Sequence, residues 1–387
     1  MERLKVLFIT AWYPTEEQPV EGMFVREHAK AVRLYDDVVI LHCAGLNPNL
    51  KGLWQLEQET DESLTEGIPT YRVWYRRSPV PKTSYLVYLR SVLQSFRRIA
   101  AQGFRPDIIH AHVYKAGLPA VLTGKFYRLP TVITEHYTVF PMRTLSKTEV
   151  TKARLAFTFA DRVCTVSQFL SDAIQSYGIK AEFKVVPNVI NTQLFYLKEK
   201  RPNSPLKNIA YISMLSQHRK GLDYLLRALG LLREKRSDFH LHVIGEGPLR
   251  EYYENLVRVL GLEDFVTFYG RLPTEQSAAL LRKSHLFVLP SLFENFSVAT
   301  AEAMATGTPV LATRCGGPEE FVTDDVGLLV PPGDEAALAE AVLRLERDVD
   351  LRRRLARTGR QTIERNYLEQ TMIDRLEAYL THLLRTP

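Results

Sequence analysis

Two glutamates eight positions apart, Glu294 and Glu302, bracket the stretch of this 387-residue chain with the most chemical content. It reads Pro290-Ser-Leu-Phe-Glu294-Asn-Phe-Ser-Val-Ala-Thr-Ala-Glu302 and runs on to Gly307 and Pro309, after an apolar strand pattern. Asn295 or Ser297 can cap a helix, and Gly307 with Pro309 ends it. Glu294 is therefore expected in the turn before the helix, and Glu302 inside it. The free N–H groups near Ser297 and Val298 would form an anion site, strengthened by the helix dipole. An anion beside two carboxylates that accept hydroxyl hydrogen bonds describes a phosphate next to a polyol, as in a sugar nucleotide. Alone, such a pair is ordinary surface decoration, because glutamate is usually exposed.

Other residues offer competing chemistry. His110, His112 and His136 stand at strand ends and could ligate a metal, yet lone strand-end histidines are more often structural. No D-x-D pair follows a strand, so no metal site is expected. Gly245-x-Gly247-x-x-Arg250 begins like a dinucleotide fingerprint but lacks the third glycine and falls in the second half of the chain. Cys43, Cys164 and Cys315 are too few and too scattered for a disulfide framework. They read as buried, inert thiols in a reducing compartment.

The elements that must position these groups alternate between short β-rich runs and helical patterns, which argues for parallel sheets covered by helices. Strands are expected near Val6–Thr10, Val38–His42, Thr70–Trp74, Ile108–His110, Thr131–Thr134, Arg162–Val166 and Lys184–Val186. The acidic segment Asn47–Gly67 has little periodicity and reads as a loop or insertion. Polar, Pro-containing Lys198–Lys207 has linker composition. Beyond it the alternation restarts, with strands at Asn208–Ile212, His240–Ile244, Phe265–Phe268, Leu286–Leu289, Pro309–Ala312 and Gly327–Val330, and a last amphipathic helix at Leu368–Leu384. The expected fold is α/β, with two Rossmann-like domains facing a cleft. The first domain takes residues 1–190 plus a helix over 368–387 that returns to it; the second takes 191–367.

Composition agrees: 45% apolar and 24% charged residues are globular values and exclude dominant disorder. The net charge is only +6, but its distribution is uneven. Between Tyr71 and Pro130 eleven Lys/Arg stand against the single acid Asp107, among ten aromatics. A basic, aromatic surface favours an anionic partner; its bland reading is a solvated face over aromatic core. No apolar run reaches 18 residues, so no spanning helix is expected. The apolar start at Leu4–Thr10 leads into Trp12-Tyr13-Pro14 and reads as a strand, not a signal peptide.

The Glu294/Glu302 segment is similar to the E-x7-E signature of retaining glycosyltransferase family 4, whose members have the two-Rossmann-domain GT-B fold. Further blocks resemble that family in order: Lys5–Thr10 through Pro14 with Gly22-Met-Phe-Val, Asp107-Ile-Ile-His110-Ala-His112, Val132-Ile-Thr-Glu-His136, Val185-Val-Pro-Asn188, Arg219-Lys220-Gly221, Gly245-Glu-Gly247-Pro-Leu249, Gly316-Gly-Pro-Glu319 and Gly327–Asp334. The resemblance covers nearly the whole chain. It implies that Glu302 binds the nucleotide ribose, that Glu294 holds the transferred sugar, and that Asn295, Phe296, Ser297 and Val298 give backbone contacts to sugar and phosphates. Lys220 would neutralise the diphosphate leaving group, as an ammonium point charge can. His136 would lie beside the donor sugar, Gly22 and Gly247 on loops that approach the donor, and Arg271 at the strand end where the base stacks. Two departures stand out. Met214 occupies the place of a family arginine, for which Arg219 is the candidate substitute. Ser297 replaces a common glycine.

The resemblance thus implies a hexosyltransferase acting with retention and without a metal or other cofactor, on a UDP- or GDP-sugar. The acceptor would be a sugar or lipid-linked hydroxyl in cell-surface polysaccharide or glycolipid assembly. Other implied features are a cytoplasmic location, a peripheral contact with anionic inner membrane and no nucleic-acid partner. A nucleotide-sugar epimerase or another non-transferase enzyme on the same fold is the alternative.

Overall fold

A computed structural model describes residues 3–78, 80, 83–197 and 205–368. The helix expected over 368–387 lies outside the described residues, apart from Leu368, which bridges to Ile190. Most of the expected linker lies outside them too. The chain divides into two compact units, with the boundary at Val189 and Ile190.

The first unit is an eight-stranded sheet. Its elements are β1 (Lys5–Thr10), α1 (Met23–Arg33), β2 (Asp37–Leu46), β3 (Trp54–Gln58), α2 (Glu62–Thr65), β4 (Thr70–Tyr75), α3 (Ser84–Ala101), β5 (Ile108–His112), α4 (Tyr114–Tyr127), β6 (Thr131–Glu135), α5 (Lys147–Phe159), β7 (Arg162–Thr165), α6 (Gln168–Gln175) and β8 (Phe183–Val185). The order is β3-β4-β2-β1-β5-β6-β7-β8, and every pairing is parallel except β3 with β4. β1 is buried from Val6 to Thr10, which is why it reads as an unbroken apolar run. Phe8 pairs with Ile40 on one side and His110 on the other, at the centre of a core that includes Val25, Val32 and Val132.

The acidic segment 47–67 is not a loop. It supplies edge strand β3 and the short helix α2. Its acids pair with buried cations of β4 and α1: Glu59 lies 2.5 Å from Arg72, and Glu66 lies 2.8 Å from Arg26. β3 sets Trp54 and Leu56 on a half-buried face and Gln55 and Glu57 outward, an alternation too short to stand out among the surrounding acids.

The second unit holds β9 (Asn208–Ile212), α7 (Leu222–Arg233), β10 (His240–Ile244), α8 (Arg250–Val259), β11 (Val266–Phe268), α9 (Thr274–Lys283), β12 (Leu286–Leu289), α10 (Val298–Ala305), β13 (Val310–Thr313), β14 (Leu328–Val330), α11 (Glu335–Arg347) and α12 (Val349–Asn366). Its six parallel strands run β11-β10-β9-β12-β13-β14. Leucines of α7 and α11 pack with Ile209, Leu241 and Leu311 of the sheet.

Both sheets reverse their winding beside their first strand, between β1 and β5 and between β9 and β12. Ligands of doubly wound sheets bind at such switch points, beyond the carboxyl ends of the strands.

Candidate active site

In the second unit the switch point holds an ion pair. Lys220 ends a single 3-10 turn, His218–Lys220, after β9. Its Nζ lies 2.5 Å from Oε1 of Glu294, which follows β12. The same carboxylate oxygen accepts the Ser291 hydroxyl at 3.1 Å. Glu294 is 7% exposed, so its charge depends on these partners. Its backbone is clamped by the loop after β13: its N–H donates to the Cys315 carbonyl, and its carbonyl accepts from Gly317 N–H, both at 2.9 Å.

Two glycines make this clamp close. A Cβ on Gly221 would sit 1.9 Å from the Pro290 carbonyl oxygen, and one on Gly317 would sit 1.7 Å from that of Asn295. The loops after β9, β12 and β13 therefore touch main chain to main chain. Arg219 ties the same loops. Its carbonyl accepts the Leu292 N–H at 2.8 Å, and its guanidinium donates to the Phe293 carbonyl at 2.9 Å and to Gln217.

The start of α10 departs from expectation. Ser297 occupies the N-cap position, yet its hydroxyl meets that of Thr300 at 2.7 Å and caps no backbone N–H. Ser297 is left-handed, with φ 67°, a conformation that favours glycine. Asn295 is buried rather than capping. The ring of Phe296 packs on Phe321 and Tyr367, so only its backbone can serve a donor. Val298 opens α10, and Glu302 is half-buried in its second turn. Gly247 packs against the Leu215 carbonyl, where a Cβ would come within 2.4 Å. Arg271 is exposed beyond β11, which β10 separates from β9. Met214 is exposed at 46%.

The first unit builds its switch point from neutral rings. His136 follows β6; its Nε2 meets Nδ1 of His112 at 3.1 Å. Their ring centroids are 5.3 Å apart with planes at 22°, the span of two ring radii plus one hydrogen bond. The imidazoles therefore meet edge to edge in an N–H···N bond. Phe24 of α1 lies 4.3 Å from the His136 ring, and His28 lies across both histidines at nearly equal distances. Burial lowers the basicity of all of these: His28 falls to about 4, His110 to about 3, and His112 and His136 well below the usual range. They stay neutral at pH 7.

Nitrogens of His28, His112 and His136 lie within 4.8 Å of one another, the group among the described residues that could hold a metal ion. Among the described contacts, His112 and His136 are joined nitrogen to nitrogen.

Gly22 is the N-cap of α1, with φ 68°. A Cβ there would come 2.3 Å from the Trp12 carbonyl oxygen. Its lack of a side chain thus serves packing of the β1–α1 loop, which brings Phe24 to His136. The resemblance places Gly22 on a loop that approaches the donor, and the structure shows the close backbone packing that its missing side chain allows.

Several supporting residues escaped sequence reasoning. Glu135 is fully buried, and its carboxylate accepts the N–H groups of Tyr114, His136 and Tyr137, each at 2.8 Å. Burial pushes its pKa up to about 7. A glutamate inside an apolar strand is a legible anomaly. Ser291 carried no local signal, and Gly317 entered the reading only as part of the Gly316–Glu319 block, with no role of its own. The three thiols are buried, and desolvation pushes each up to about 12, which removes them as nucleophiles.

Comparison with known proteins agrees with the blocks read from the sequence. Residues 23–194 match the family model described as Glycosyltransferase Family 4, and residues 192–362 match that of Glycosyl transferases group 1. The chain is 28% identical over 281 residues to a glycogen synthase of Mycobacterium tuberculosis, covering 70% of this chain and 67% of that one. It is 27% identical over 271 residues to a phosphatidyl-myo-inositol mannosyltransferase of Mycobacterium leprae, covering 67% and 69%. Among solved structures, Alr3699/HepE of Anabaena in complex with UDP-glucose superposes with a TM-score of 0.76 at 21% identity, over 98% of this chain and all of that one. The chain has the GT-B fold and belongs to glycosyltransferase family 4.

Proposed function

We propose that this glycosyltransferase moves a hexose from a UDP- or GDP-sugar to an acceptor hydroxyl with retention of anomeric configuration. The observation that carries this reading is the Lys220–Glu294 contact at a sheet switch point, beside the uncapped start of α10. A diphosphate placed there meets an ammonium group and a helix N-terminus. The bond from the anomeric carbon to the phosphate oxygen breaks, with its electron pair leaving on the diphosphate. Lys220 and the α10 dipole stabilise that developing charge. The acceptor oxygen attacks the same face, and its proton passes to the departing phosphate oxygen. Glu294 orients the sugar hydroxyls and Glu302 holds the ribose. Arg219 stiffens the loop through Phe293. Positive charge comes from the chain itself, so the reading requires no metal or other cofactor.

Names among the relatives support an acceptor in polysaccharide or glycolipid assembly. Among the described residues no helix is long and apolar enough to cross a membrane. Exposed Leu86, Leu122 and Phe126, with Arg90, Arg97 and Lys125 on α3 and α4, would suit a peripheral contact with anionic lipid at the cytoplasmic face. Thermal shift with UDP, GDP, ADP and TDP tests the donor. A ligand at a hundred times its Kd adds about 2.7 kcal/mol of stability. Stabilisation by UDP or GDP is expected; no shift with any of the four contradicts the reading.

A further inference from the structure

We infer that His28, His112 and His136 form a binding site for a borderline divalent cation, Zn²⁺ above all, inside the first unit. The inference rests on no part of the transferase reading, and the ion has no step in sugar transfer. It would tie α1 to the carboxyl ends of β5 and β6.

The three rings come from separate elements. His28 lies on α1, His112 ends β5, and His136 follows β6. All three are buried. Their ring centroids stand 5.3, 5.7 and 5.8 Å apart, nearly an equilateral triangle. Its centre lies about 3.2 Å from each centroid, the length of a Zn–N bond plus the radius of an imidazole ring. Nδ1 of His112 and Nε2 of His136 are 3.1 Å apart, close to the roughly 3.3 Å between two nitrogens on tetrahedral zinc. A nitrogen of His28 lies within 4.8 Å of both. Loading would exchange the N–H···N bond for two nitrogen–metal bonds and draw the His28 nitrogen in.

His28 is what a hydrogen-bonded pair of histidines leaves unexplained. It is 2% exposed, and an apolar side chain would fill its place without desolvating two nitrogens. Among the described residues neither of its ring nitrogens makes a well-formed hydrogen bond; the Pro187 backbone stands nearby and raises its basicity. A buried polar atom without a partner calls for one, and an ion at the centre of the triangle supplies it.

The donor set selects the ion. Three imidazoles suit Zn²⁺ and its transition-metal neighbours, whereas Mg²⁺ and Ca²⁺ take oxygen ligands. The carboxylate of Glu135, one residue before His136, is committed to three backbone N–H groups. None of the three thiols belongs to the group. His136 is the most exposed of the three rings, at 9%, and half-buried Phe24 lies against it, which marks the way in.

The test titrates metal into the full chain, free of any affinity tag and stripped with chelator. Calorimetry is expected to show a single Zn²⁺ bound per chain and no binding of Mg²⁺. Co²⁺ in its place is expected to give the visible absorption of tetrahedral nitrogen ligation, without a thiolate band. His28→Gln is expected to weaken Zn²⁺ at least about ten-fold, because even an outer-shell partner is worth that much. His110→Asn alters a buried ring stacked on His112 but outside the group, and is expected to leave the affinity unchanged. Absence of Zn²⁺ binding would overturn the inference. So would zinc held equally well by His28→Gln, a thiolate band, or equal losses in the two variants. Should His28→Gln not fold, zinc-edge X-ray absorption of the wild type decides. Three imidazoles at about 2.0–2.1 Å support the site, and fewer contradict it.

Discussion

The two units meet the same demand, a polar group held at the carboxyl end of a parallel sheet, by opposite means. The second unit uses backbone proximity and one charge pair. Side-chain-free contacts at Gly221 and Gly317 let three loops touch, and they fix Lys220 against Glu294. The first unit uses burial. Its histidines His28, His42, His110, His112 and His136 sit in the interior, uncharged, under aromatic rings. In the second unit burial lowers His242 to about 4. The lesson concerns what each design is sensitive to. A site built on close backbone is sensitive to an added methyl group, and a site built on neutral imidazoles is sensitive to protons.

The largest expected effect is therefore steric. Gly317→Ala should destabilise the second unit by roughly 3–5 kcal/mol, because its new Cβ cannot coexist with the Asn295 carbonyl. Hydrogen exchange resolved by segment should show faster exchange in β12 and β13 and unchanged exchange in β1 and β5. Loss in both units would break the contrast.

Next comes chemistry. Lys220→Ala and Glu294→Gln should each lower turnover by about 10²–10³, in line with removing one donor to a developing charge. Glu294→Gln keeps the Ser291 bond and so keeps the fold, which circular dichroism would check. Near-normal turnover in either would remove its role. Glu302→Ala should chiefly weaken nucleotide binding; an unchanged Kd would refute the ribose assignment.

A smaller effect is protonic. Each buried histidine has a folded pKa below its unfolded value of about 6.5, so the unfolded chain binds more protons in that window. Stability from these groups is present above about pH 6.5 and is lost as pH falls toward their folded values. At pH 5 the loss is about 1–2 kcal/mol for each one that stays neutral. Glu135 works in the other sense: with its pKa raised to about 7, its contribution is full below its unfolded value of about 4.3 and is lost as pH rises toward 7. Acid should therefore loosen the first unit before the second, with His110→Asn shrinking the difference. Equal acid sensitivity of the two units would contradict the account.

The smallest is conformational. Ser297→Gly relieves a left-handed backbone and should stabilise the protein by up to about 1 kcal/mol, with the UDP affinity retained. A lower Tm would mean that the Thr300 contact outweighs the strain.

These residues also mark what could be read in advance. The parallel sheets, their helices and the place of Glu294 before α10 follow from patterns a dozen residues long, where strand, turn and helix signals are adjacent. What was hidden depends on segments distant in sequence. The 47–67 segment looked formless because its acids answer cations on α1 and β4. Gly22 packs on the carbonyl of Trp12, a close approach that no local pattern announces. Ser297 had the residue type of a cap but not the backbone of one. Arg219 was named as a spare cation; its bond to the Phe293 carbonyl, 74 residues on, has no local signature.

The most direct test titrates UDP into the purified wild-type chain and Lys220→Ala by calorimetry. The account expects binding to the wild type and at least about ten-fold weaker binding to the variant, as losing a charge-assisted contact to a phosphate implies. Equal affinities for the two proteins would contradict it.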